Sequence, residues 1–271
     1  MALENIKYNE VIHKKLKKCE YCGRELTPIG LEYLYANFSP DNIEYERCTC
    51  KKAQEYWKEK DKQDYEVEKR KHFREVINKI YKQNYIGKKL QNLNFENFNS
   101  NSANELAIAI AKDYVNKNII SADTKGLIIM GESGVGKTHL AASIANRLNE
   151  NDKIVLMERL TTLLDMIKET FKDNTKSENE LIELYSNVDM IIIDDLGTEK
   201  ISNWGLEKLY TIIENRNENR LPIIITTKFD KQGLIERFSQ SQDEQLVDAI
   251  ISKLYQMCYG LTLKSMKKEL V

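Results

Sequence analysis

The stretch GESGVGKT, residues 131–138, constrains the fold of this chain more than any other segment. It fits the pattern G-x4-G-K-[ST] and lies between an apolar, strand-like stretch, LIIM, and a helix-like one, KTHLAASIANRL. Glycines at these spacings let backbone amides converge on a phosphate, and the start of the following helix adds positive potential. The sequence therefore predicts a nucleotide-phosphate site. The residues expected to contact the nucleotide are Gly131, Glu132, Ser133, Gly134, Val135, Gly136, Lys137 and Thr138.

Four side chains are expected to carry the chemistry of this site. Lys137 is predicted to reach the β and γ phosphates of ATP or ADP, and Thr138 to ligate Mg²⁺. The apolar run DMIIID ends in Asp194, which is predicted to hold the Mg²⁺ shell, and Asp195 is placed to orient or deprotonate water. Paired acids at the end of a strand also occur as solvated loop residues, and this alternative stays open.

A pair of threonines, Thr226 and Thr227, ends the later strand-like stretch PIIITT. If this strand lies between the strands that bear the loop and the acids, its tip is beside the γ-phosphate. The threonines are then candidate catalytic residues that position the attacking water. The β-propensity of threonine explains the pair about as well.

From residue 101 onward, helix-like and strand-like segments alternate regularly. Helices are predicted over residues 104–117, 137–148, 161–171, 178–187, 204–219 and 243–258, and strands over 127–130, 153–160, 189–194, 222–227 and 259–263. Continuous apolar strands separated by helices predict an α/β fold with a parallel sheet covered on both faces. Because the given sequence ends eight residues after the last strand, we expect no C-terminal helical lid.

Four of the five cysteines form two close pairs near the N terminus, Cys19-x-x-Cys22 and Cys48-x-Cys50. In a reducing compartment this spacing indicates a metal site rather than disulfides. Four thiolates suit tetrahedral Zn²⁺ and leave no vacant ligand position, so the predicted role of the zinc is structural. Cysteines without a metal are one alternative, and a redox-active pair is another. The fifth cysteine, Cys258, is expected in the core.

The length and composition of the chain bound its organisation. A length of 271 residues predicts two domains, which we place as a zinc-binding domain over 1–55 and an α/β domain over 101–271, with a linker of one or two charged helices over 56–100. Since no long apolar run or signal-peptide core occurs, we expect a cytoplasmic protein without membrane contact. A net charge of −1 and a pI near 6.4 indicate that any contact with DNA is local or assembled from several subunits.

Five stretches together resemble the AAA+ replicative helicase loaders of bacteria and their phages, the DnaC/DnaI type. They are GLIIMGESGVGKTHLAASIANRL, IIIDDLGTEK, LYTIIENR, PIIITT and AIISKLYQMC, within a resemblance that covers roughly residues 90–267. The resemblance implies that residues 101–271 are an AAA+ ATPase domain with a three-layer core, through which the protein self-associates. It further implies an N-terminal domain that engages the hexameric replicative helicase, and a role in loading that ring onto single-stranded DNA during replication initiation.

Two other functions are compatible with the same motifs. One is a nucleotide-binding adaptor or inhibitor that captures a helicase, with hydrolysis incidental. The other is a helper ATPase of a transposase, because such helpers share the core motifs. The cysteine pairs ahead of the ATPase domain favour the loader.

Three basic positions depart from the pattern of these loaders. Lys228 stands where the family commonly has Asn, and Lys253 and Lys267 stand where it has arginines. The resemblance implies that Lys253 acts on the γ-phosphate of a neighbouring subunit, which makes it a candidate catalytic residue. Because lysine keeps the charge but lacks the planar fork of arginine, we expect slow hydrolysis, with nucleotide acting chiefly as an assembly switch. The candidate substitutes for the missing arginine are Arg216, Arg220 and Arg237.

Overall fold

The computed structural model describes residues 17–29, 44–81, 89–99, 102–120, 125–171, 177–239 and 243–265. The chain divides into two compact units, Met1–His72 and Phe73–Val271. The three predicted segments, with boundaries near residues 55 and 100, stay a prediction about domain organisation. Among the described residues, no helix combines the length and the apolar character that crossing a bilayer requires.

The first unit holds a short antiparallel pair of strands, β1 (Pro28–Ile29) and β2 (Glu44–Tyr45). The helix α1 (Lys51–Tyr81) begins directly after Cys50 and runs for 31 residues, so that its last turns belong to the second unit. Neither Gly nor Pro occurs between its ends, and nothing in the sequence therefore interrupts its hydrogen bonds. Among the described residues of the predicted linker, 56–81 and 89–99, the structure has one helix.

The second unit adds seven helices and five strands among the described residues. The helices are α2 (Glu105–Ile120), α3 (Lys137–Glu150), α4 (Leu160–Glu169), α5 (Glu178–Asn187), α6 (Asn203–Glu218), α7 (Lys231–Ser239) and α8 (Glu244–Met257). The strands are β3 (Gly126–Met130), β4 (Val155–Arg159), β5 (Met190–Asp194), β6 (Ile223–Thr227) and β7 (Cys258–Thr262).

The five strands form one parallel sheet in the order β4-β5-β6-β3-β7. Successive residues of a strand point to opposite faces, so Ile191 and Ile193 of β5 join one apolar cluster, and Met190 and Ile192 join the other. Helices cover both faces, which explains why the strands are apolar throughout. The predicted α/β fold class is confirmed. The sheet also places β6 between β5 and β3, the order on which the predicted role of the threonines depends.

Different helices form the two layers that cover the sheet. Helices α2 and α3 cover one face, where Leu140 and Ile144 are fully buried and Phe95 and Phe98 join them from the segment before α2. The end of α1 and helices α4 to α8 cover the other face. Cys258 is buried, as expected, but it begins β7 and does not belong to the preceding helix. The sheet and its two helical layers make a three-layer core.

Helix α7 has no counterpart among the predicted helices. It is nine residues long and buries only Leu234 and Phe238, so its apolar pattern is too short to stand out. The usable signal is Asp230, whose carboxylate accepts a hydrogen bond from the backbone N–H of Gly233 at 2.8 Å, as a helix N-cap does.

Candidate nucleotide site and cysteine cluster

The predicted phosphate loop, residues 131–138, connects β3 to α3 at the carboxyl edge of the sheet. Gly136 is the N-cap residue of α3 and has a φ of 99°, in the left-handed region that favours glycine. A Cβ atom at this position would lie 2.9 Å from Cζ of Phe98. Since glycine has no side chain to cap the helix, the first backbone N–H groups of α3 are available to an anion.

The other loop residues line the same turn. Glu132, Ser133 and Gly134 are exposed, Gly131 is half-buried, and Val135 packs partly against the core. A Cβ atom on Gly131 would lie 2.4 Å from the carbonyl oxygen of Leu263, which follows β7. The close approach of Leu263 therefore requires glycine at the first position of the loop.

Lys137 is 8% exposed, and its ammonium group lies across the mouth of the loop. Its Nζ donates hydrogen bonds to the carbonyl oxygens of Gly131 at 2.9 Å and Glu132 at 2.8 Å. Burial lowers the pKa of Lys137, and the carboxylates of Asp195 and Asp194 oppose that shift. The lysine thus lies within reach of both acids and of any phosphate bound in the loop.

Asp194, at the end of β5, contacts helix α3 and strand β6 through hydroxyl groups. The Oγ1 atom of Thr138 donates to both carboxylate oxygens of Asp194, at 3.0 and 3.1 Å. The Oγ1 atom of Thr226, at the end of β6, donates to Oδ1 of Asp194 at 2.6 Å. A carboxylate and a hydroxyl from the loop are the oxygen ligands that Mg²⁺ prefers, so this pair of residues fits the predicted magnesium site.

The backbone of Asp195 has a φ of 60°, which is uncommon for a residue other than glycine. Its N–H donates to Oγ1 of Thr226 at 2.8 Å, and the next N–H, of Leu196, donates to the carbonyl oxygen of Thr226, also at 2.8 Å. The carboxylate of Asp195 is half-buried and has no hydrogen bond to another described residue. The tip of β6 therefore fixes the acid pair in a turn that leaves this carboxylate available to water.

The two threonines of β6 have different contacts. Thr226 bonds to Asp194, whereas the fully buried Thr227 donates from Oγ1 to the carbonyl oxygen of Leu196 at 2.8 Å. The same Oγ1 accepts the N–H of Phe229 at 3.1 Å. Within the chain, Thr227 fixes backbone and Thr226 contacts a site residue. Their catalytic roles stay predictions.

Lys253 lies on α8 and faces α6. Its Nζ is 2.9 Å from Oε2 of Glu214, and this hydrogen-bonded partner raises the pKa of Lys253. Among the described residues Lys253 touches no part of the phosphate loop. To act on a nucleotide, Lys253 would therefore have to contact a neighbouring subunit after its ion pair with Glu214 has opened.

Arg216 is excluded as a substitute for the missing arginine. Its guanidinium group is fully buried and donates to the carbonyl oxygens of Tyr185 and Val188 at 3.0 Å, and of Pro222 at 2.6 Å. Burial lowers its pKa to about 9. These carbonyl groups precede β5 and β6, at the edge of the sheet opposite to the phosphate loop, so Arg216 is a structural residue.

The remaining basic candidates differ in position. Arg237 of α7 donates to the carbonyl oxygens of Gly197 at 3.0 Å and Thr198 at 3.1 Å, in the loop after the acid pair. Arg220 follows α6 in a left-handed conformation with a φ of 53°. Lys267 lies outside the described residues. Arg237 is thus the candidate that contacts the loop carrying Asp195.

The four predicted metal ligands lie together in the first unit. The Sγ atoms of Cys19, Cys22, Cys48 and Cys50 are all within 4.8 Å of one another, and each cysteine is a free thiol. The spacing is 3.9 Å between Cys19 and Cys50 and 3.5 Å between Cys22 and Cys48. Tetrahedral Zn²⁺ with Zn–S bonds of about 2.3 Å places sulfur atoms about 3.8 Å apart. The cluster can therefore hold a metal ion of this kind.

Local backbone structure shapes the cysteine cluster for anionic sulfur. Gly23 has a φ of 73° and donates its N–H to the carbonyl oxygen of Cys19 at 2.9 Å, which closes a turn around the first pair. In the second pair, the backbone N–H of Cys50 is the largest cause that lowers the pKa of Cys48, to about 7. In the first pair, the backbone N–H of Arg24 lowers the pKa of Cys22, but the Cys48 thiol and burial raise it by more, to about 11. Backbone N–H groups thus face one thiol of each pair, and such contacts stabilise a thiolate ligand.

The sequence did not predict an aromatic cluster beside the cysteines, which we call the Trp57 cluster. Its members are Tyr21, Arg47, Tyr56, Trp57 and Lys60. Tyr56 lies between Tyr21, with ring centroids 5.8 Å apart, and Trp57, at 5.1 Å. Arg47 lies 4.7 Å and Lys60 5.3 Å from the centroid of the Trp57 ring. Tyr21 and Tyr56 are each 44% exposed, so the cluster presents aromatic surface to solvent.

A second such group, the Trp204 cluster, belongs to the second unit. Its members are Lys168, Phe171, Trp204 and Lys208. Lys168 lies 5.3 Å and Lys208 5.8 Å from the centroid of the Trp204 ring, and Phe171 meets the ring edge-on at 6.2 Å. Lys208 also pairs with Glu178. Phe171 is 60% exposed, which leaves basic and aromatic groups side by side on the surface.

The segment before α2 packs against the helix of the phosphate loop. Nε2 of His139 lies 2.9 Å from Oδ1 of Asn97 and 3.1 Å from the carbonyl oxygen of Asn94. The ring of Phe98 meets the His139 ring at 4.9 Å and also lies against Gly136. The sequence predicts residues 92–99 only as part of the linker, whereas in the structure this segment supports one side of the loop.

Comparison with known proteins gives a consistent result. A family model described as IstB-like ATP binding protein matches residues 45–269. The replicative helicase loader DnaC of Escherichia coli strain K12 is 29% identical over 145 residues, which is 53% of this chain and 58% of DnaC. The replicative helicase loader DnaI of Bacillus subtilis strain 168 is 23% identical over 233 residues, which is 83% of this chain and 69% of DnaI.

A solved structure has the same core. A crystal structure of the DnaC helicase loader superimposes with a TM-score of 0.56 and 25% sequence identity, and the match covers 66% of this chain and 100% of that chain. The predicted resemblance and the predicted AAA+ core are confirmed. The curated DnaC relative matches over little more than half of its own length.

Proposed function

The chain belongs to the family of IstB-like ATP binding proteins, and from this premise we propose that it is an ATP-dependent loader of a hexameric replicative helicase onto single-stranded DNA. The observation that carries the proposal is the presence of the phosphate site and the four-thiol cluster in one chain. The match to DnaI covers 83% of this chain. Residues 73–271 alone make up a smaller share of the chain, so the match extends into the first unit, which holds the thiols.

Nucleotide binding in this proposal rests on the loop and its helix. The backbone N–H groups at the start of α3 bind the phosphates, and Lys137 exchanges its two carbonyl partners for the β and γ phosphate oxygens. Thr138 and Asp194 hold a Mg²⁺ ion, which neutralises phosphate charge. The hydrogen bonds among Thr138, Asp194 and Thr226 orient these oxygen ligands before nucleotide arrives.

Hydrolysis in this proposal depends on the turn after β5. Asp195 accepts a proton from water or orients it, because its half-buried carboxylate lies beside Lys137 and no described residue hydrogen-bonds to it. Thr226 holds the turn through the N–H of Asp195. Lys253 acts on the nucleotide of a neighbouring subunit, after its ion pair with Glu214 has opened. Because a single subunit has no such neighbour, its turnover is slow.

Partner binding is assigned to the two aromatic clusters. The cysteine cluster holds Zn²⁺ as a structural ion, which orders the turns around the Trp57 cluster, and this exposed face engages the helicase. Tyr, Trp and Arg are enriched among the residues that dominate binding energy at protein interfaces. The Trp204 cluster contacts single-stranded DNA, since bases stack on aromatic rings while lysines neutralise phosphates.

A second candidate function is a nucleotide-binding adaptor that captures a helicase with hydrolysis incidental. Two observations favour it: the pairing of Lys253 with Glu214 and the burial of Arg216. Both leave few cations able to act on a neighbouring nucleotide. The adaptor and the loader share nucleotide and helicase binding and differ in whether hydrolysis is needed.

The deciding experiment measures ATP hydrolysis and helicase loading together. The full chain, a candidate replicative helicase and circular single-stranded DNA are mixed with ATP or ADP, and ring-loaded helicase is isolated after a salt wash. Asp195→Asn is the test variant, and Asp113→Asn, which alters an exposed ion pair on α2, is the control. The loader requires ATP-dependent loading that Asp195→Asn loses and Asp113→Asn keeps.

Other outcomes separate the alternatives. Equal hydrolysis and equal loading by the native chain and Asp195→Asn would support the adaptor. Binding to duplex DNA without any association with helicase would support the transposase helper. Association with neither would remove the loader proposal.

A further inference from the structure

Helix α2 carries apolar side chains on two sides. Its inner side is buried, where Ile108 and Ala111 join the apolar cluster shared with α3. Its outer side carries Leu106 and Ile110, which are 72% and 43% exposed, and the exposed Ala109 lies between them. Spacings of three and four residues place these side chains in one stripe along the helix. Because an apolar side of a helix normally packs against another element, the outer stripe indicates a partner that the core does not supply.

Helix α2 runs along β7, an edge strand of the sheet, in the opposite direction. At one end, the side-chain oxygen of Asn104, directly before α2, accepts the N–H of Lys264, two residues after β7, at 2.9 Å. At the other end, the hydrogen bond to Asp113 raises the pKa of Lys117 most, and the nearby Tyr259 of β7 adds to that shift. Because α3 packs on strands β3 to β6, the outer stripe of α2 lies on the side of the β7 edge.

The outer edge of β7 has no strand beside it among the described residues. Tyr259 is 60% exposed, and Gly260 and Thr262 are exposed as well. The strand, CYGLT, contains neither a charged residue nor proline, which commonly protect an edge strand from pairing. The edge and the outer stripe make one surface, which we call the α2–β7 face. Its members are Leu106, Ala109, Ile110, Tyr259 and Gly260.

The two ends of α2 carry opposite charges. Glu105 is exposed in its first turn, and Lys117 is exposed in its last turn. A two-fold axis normal to the sheet reverses the direction of α2, so Glu105 faces Lys117 of a second copy, and this pair occurs twice. The three donors of the ammonium let Lys117 keep its pair with Asp113, at 2.6 Å, while it binds Glu105. A surface whose charges complement themselves under a two-fold rotation fits a contact between identical chains.

We propose that two copies of this chain pair through the α2–β7 face, with their β7 strands antiparallel and their α2 helices packed side by side. The rotation that aligns Glu105 with Lys117 brings Ile110 against Ile110 of the second copy. It also directs Leu106 toward Tyr259 of the second copy and keeps both helices on one side of the joined sheet. Such a contact closes after two copies, so it gives a dimer and not a ring. Because no residue of the phosphate loop belongs to the face, the pairing needs no nucleotide and does not depend on the proposed function.

The test measures self-association of the full chain by sedimentation-velocity ultracentrifugation, without nucleotide and over a range of concentrations. Ile110→Glu places a charge at the centre of the face, and we expect the dissociation constant of the dimer to rise by about 100-fold or more. Val67→Glu is the matched control, since Val67 is also an exposed apolar residue of a helix, on α1 in the first unit. It should leave the dissociation constant within about 2-fold of the native value.

Charge reversal tests the orientation of the two copies. Glu105→Lys and Lys117→Glu each place like charges opposite each other, and each should weaken the dimer by about 10-fold. The double variant restores opposite charges across the axis, so its dissociation constant should return to within about 3-fold of the native value. Within one copy the two side chains are separated by about 18 Å along the helix, so an effect on the folding of α2 would not give this rescue. Thermal unfolding checks that each variant is folded.

Four results would overturn the proposal. They are a native chain that stays monomeric at about 100 μM, a dimer that Ile110→Glu leaves intact, an equal effect of Val67→Glu, and a double variant that pairs as weakly as the single ones. If the native chain stayed monomeric and Ile110→Glu lost its binding to the helicase, the face would belong to the helicase instead.

Discussion

The phosphate loop is joined to a five-stranded sheet with an apolar layer on each face, whereas the cysteine cluster lies in a unit whose described apolar core is Cys19, Leu26, Cys48 and Ala53. Two of those four core residues are themselves predicted metal ligands. The loop is held by packing that would exist without any ligand. The cysteine cluster has little packing to hold it, and its own ligands make up half of its core.

The difference follows from the size of the two cores. Small units bury a small share of their surface and commonly need a metal or disulfides for stability. Since all the described cysteines of the first unit are free thiols, a metal ion is the available stabiliser. Ligand binding should therefore determine the fold of the first unit and leave the fold of the second unchanged.

Removal of the metal is the strongest test of this difference between the two units. Chelation, or the substitution Cys22→Ser in the full chain, should unfold the first unit, because structural zinc supplies folding free energy directly. Limited proteolysis should show cleavage within residues 17–50, while nucleotide affinity at the loop stays within about 2-fold of the native value. If residues 17–50 resisted proteolysis in the presence of a chelator and the purified protein held no metal, the first unit would not depend on a metal for its fold.

Asp194→Asn should have the next largest effect, which we expect on ATP hydrolysis and not on stability. The substitution removes the charge that holds Mg²⁺ and keeps the shape of the side chain, so we expect Mg²⁺-dependent ATP hydrolysis to fall by about 100-fold or more. Thermal unfolding should change little. Asp165→Asn, which alters an exposed pair with Lys168, is the matched control. A similar loss in both variants would argue against a specific role of Asp194.

Gly136→Ala should disturb the loop by two separable effects. The left-handed φ of 99° strains any other residue, and the added Cβ would lie 2.9 Å from the Phe98 ring. Gly134 has a similar φ of 82° but an empty surrounding, so Gly134→Ala isolates the backbone strain. We expect about 1–3 kcal/mol of destabilisation from Gly136→Ala and less from Gly134→Ala, measured by urea unfolding. Equal losses of stability in the two variants would mean that backbone strain accounts for the whole effect of Gly136→Ala.

The substitutions Thr226→Val and Thr227→Val should have effects that differ in kind. Thr226→Val removes a hydroxyl that contacts Asp194 and the N–H of Asp195, so we expect about a 10-fold loss in hydrolysis rate. Thr227→Val leaves a buried carbonyl and an N–H without their partner, and stability should fall by about 1–3 kcal/mol. If the two variants changed hydrolysis and stability alike, the separate roles of the threonines would be refuted.

Much of the fold is predictable from the sequence because its signals are local or regular. The G-x4-G-K-[ST] loop, the uninterrupted apolar strands and the two cysteine pairs each depend on neighbouring residues, and the resemblance to helicase loaders adds the three-layer core. The strand order is seen in the structure. Helix α7 was missed because it buries only Leu234 and Phe238. Its N-cap residue, Asp230, is a weak signal within a polar stretch.

The rest of the candidate site depends on contacts between residues far apart in the sequence. Nothing local distinguishes Thr226 from Thr227, and only the sheet shows that one contacts Asp194 while the other fixes a loop. Arg216 was equally plausible as a functional cation until its burial became visible. The Trp204 cluster likewise brings together side chains of α6 with Lys168 of α4 and with Phe171 just after that helix, which no spacing rule connects.

The chain has two tryptophans, and each compact unit contains one of them. Trp57 lies beside Arg47 and Lys60, near the thiols, and Trp204 lies beside Lys168 and Lys208. Indole emission responds to nearby charge and to solvent, so Trp57→Phe and Trp204→Phe each leave an optical probe that belongs to one unit. Metal uptake by the first unit and the proposed DNA binding by the second can therefore be followed separately in full-length variants, without any attached dye.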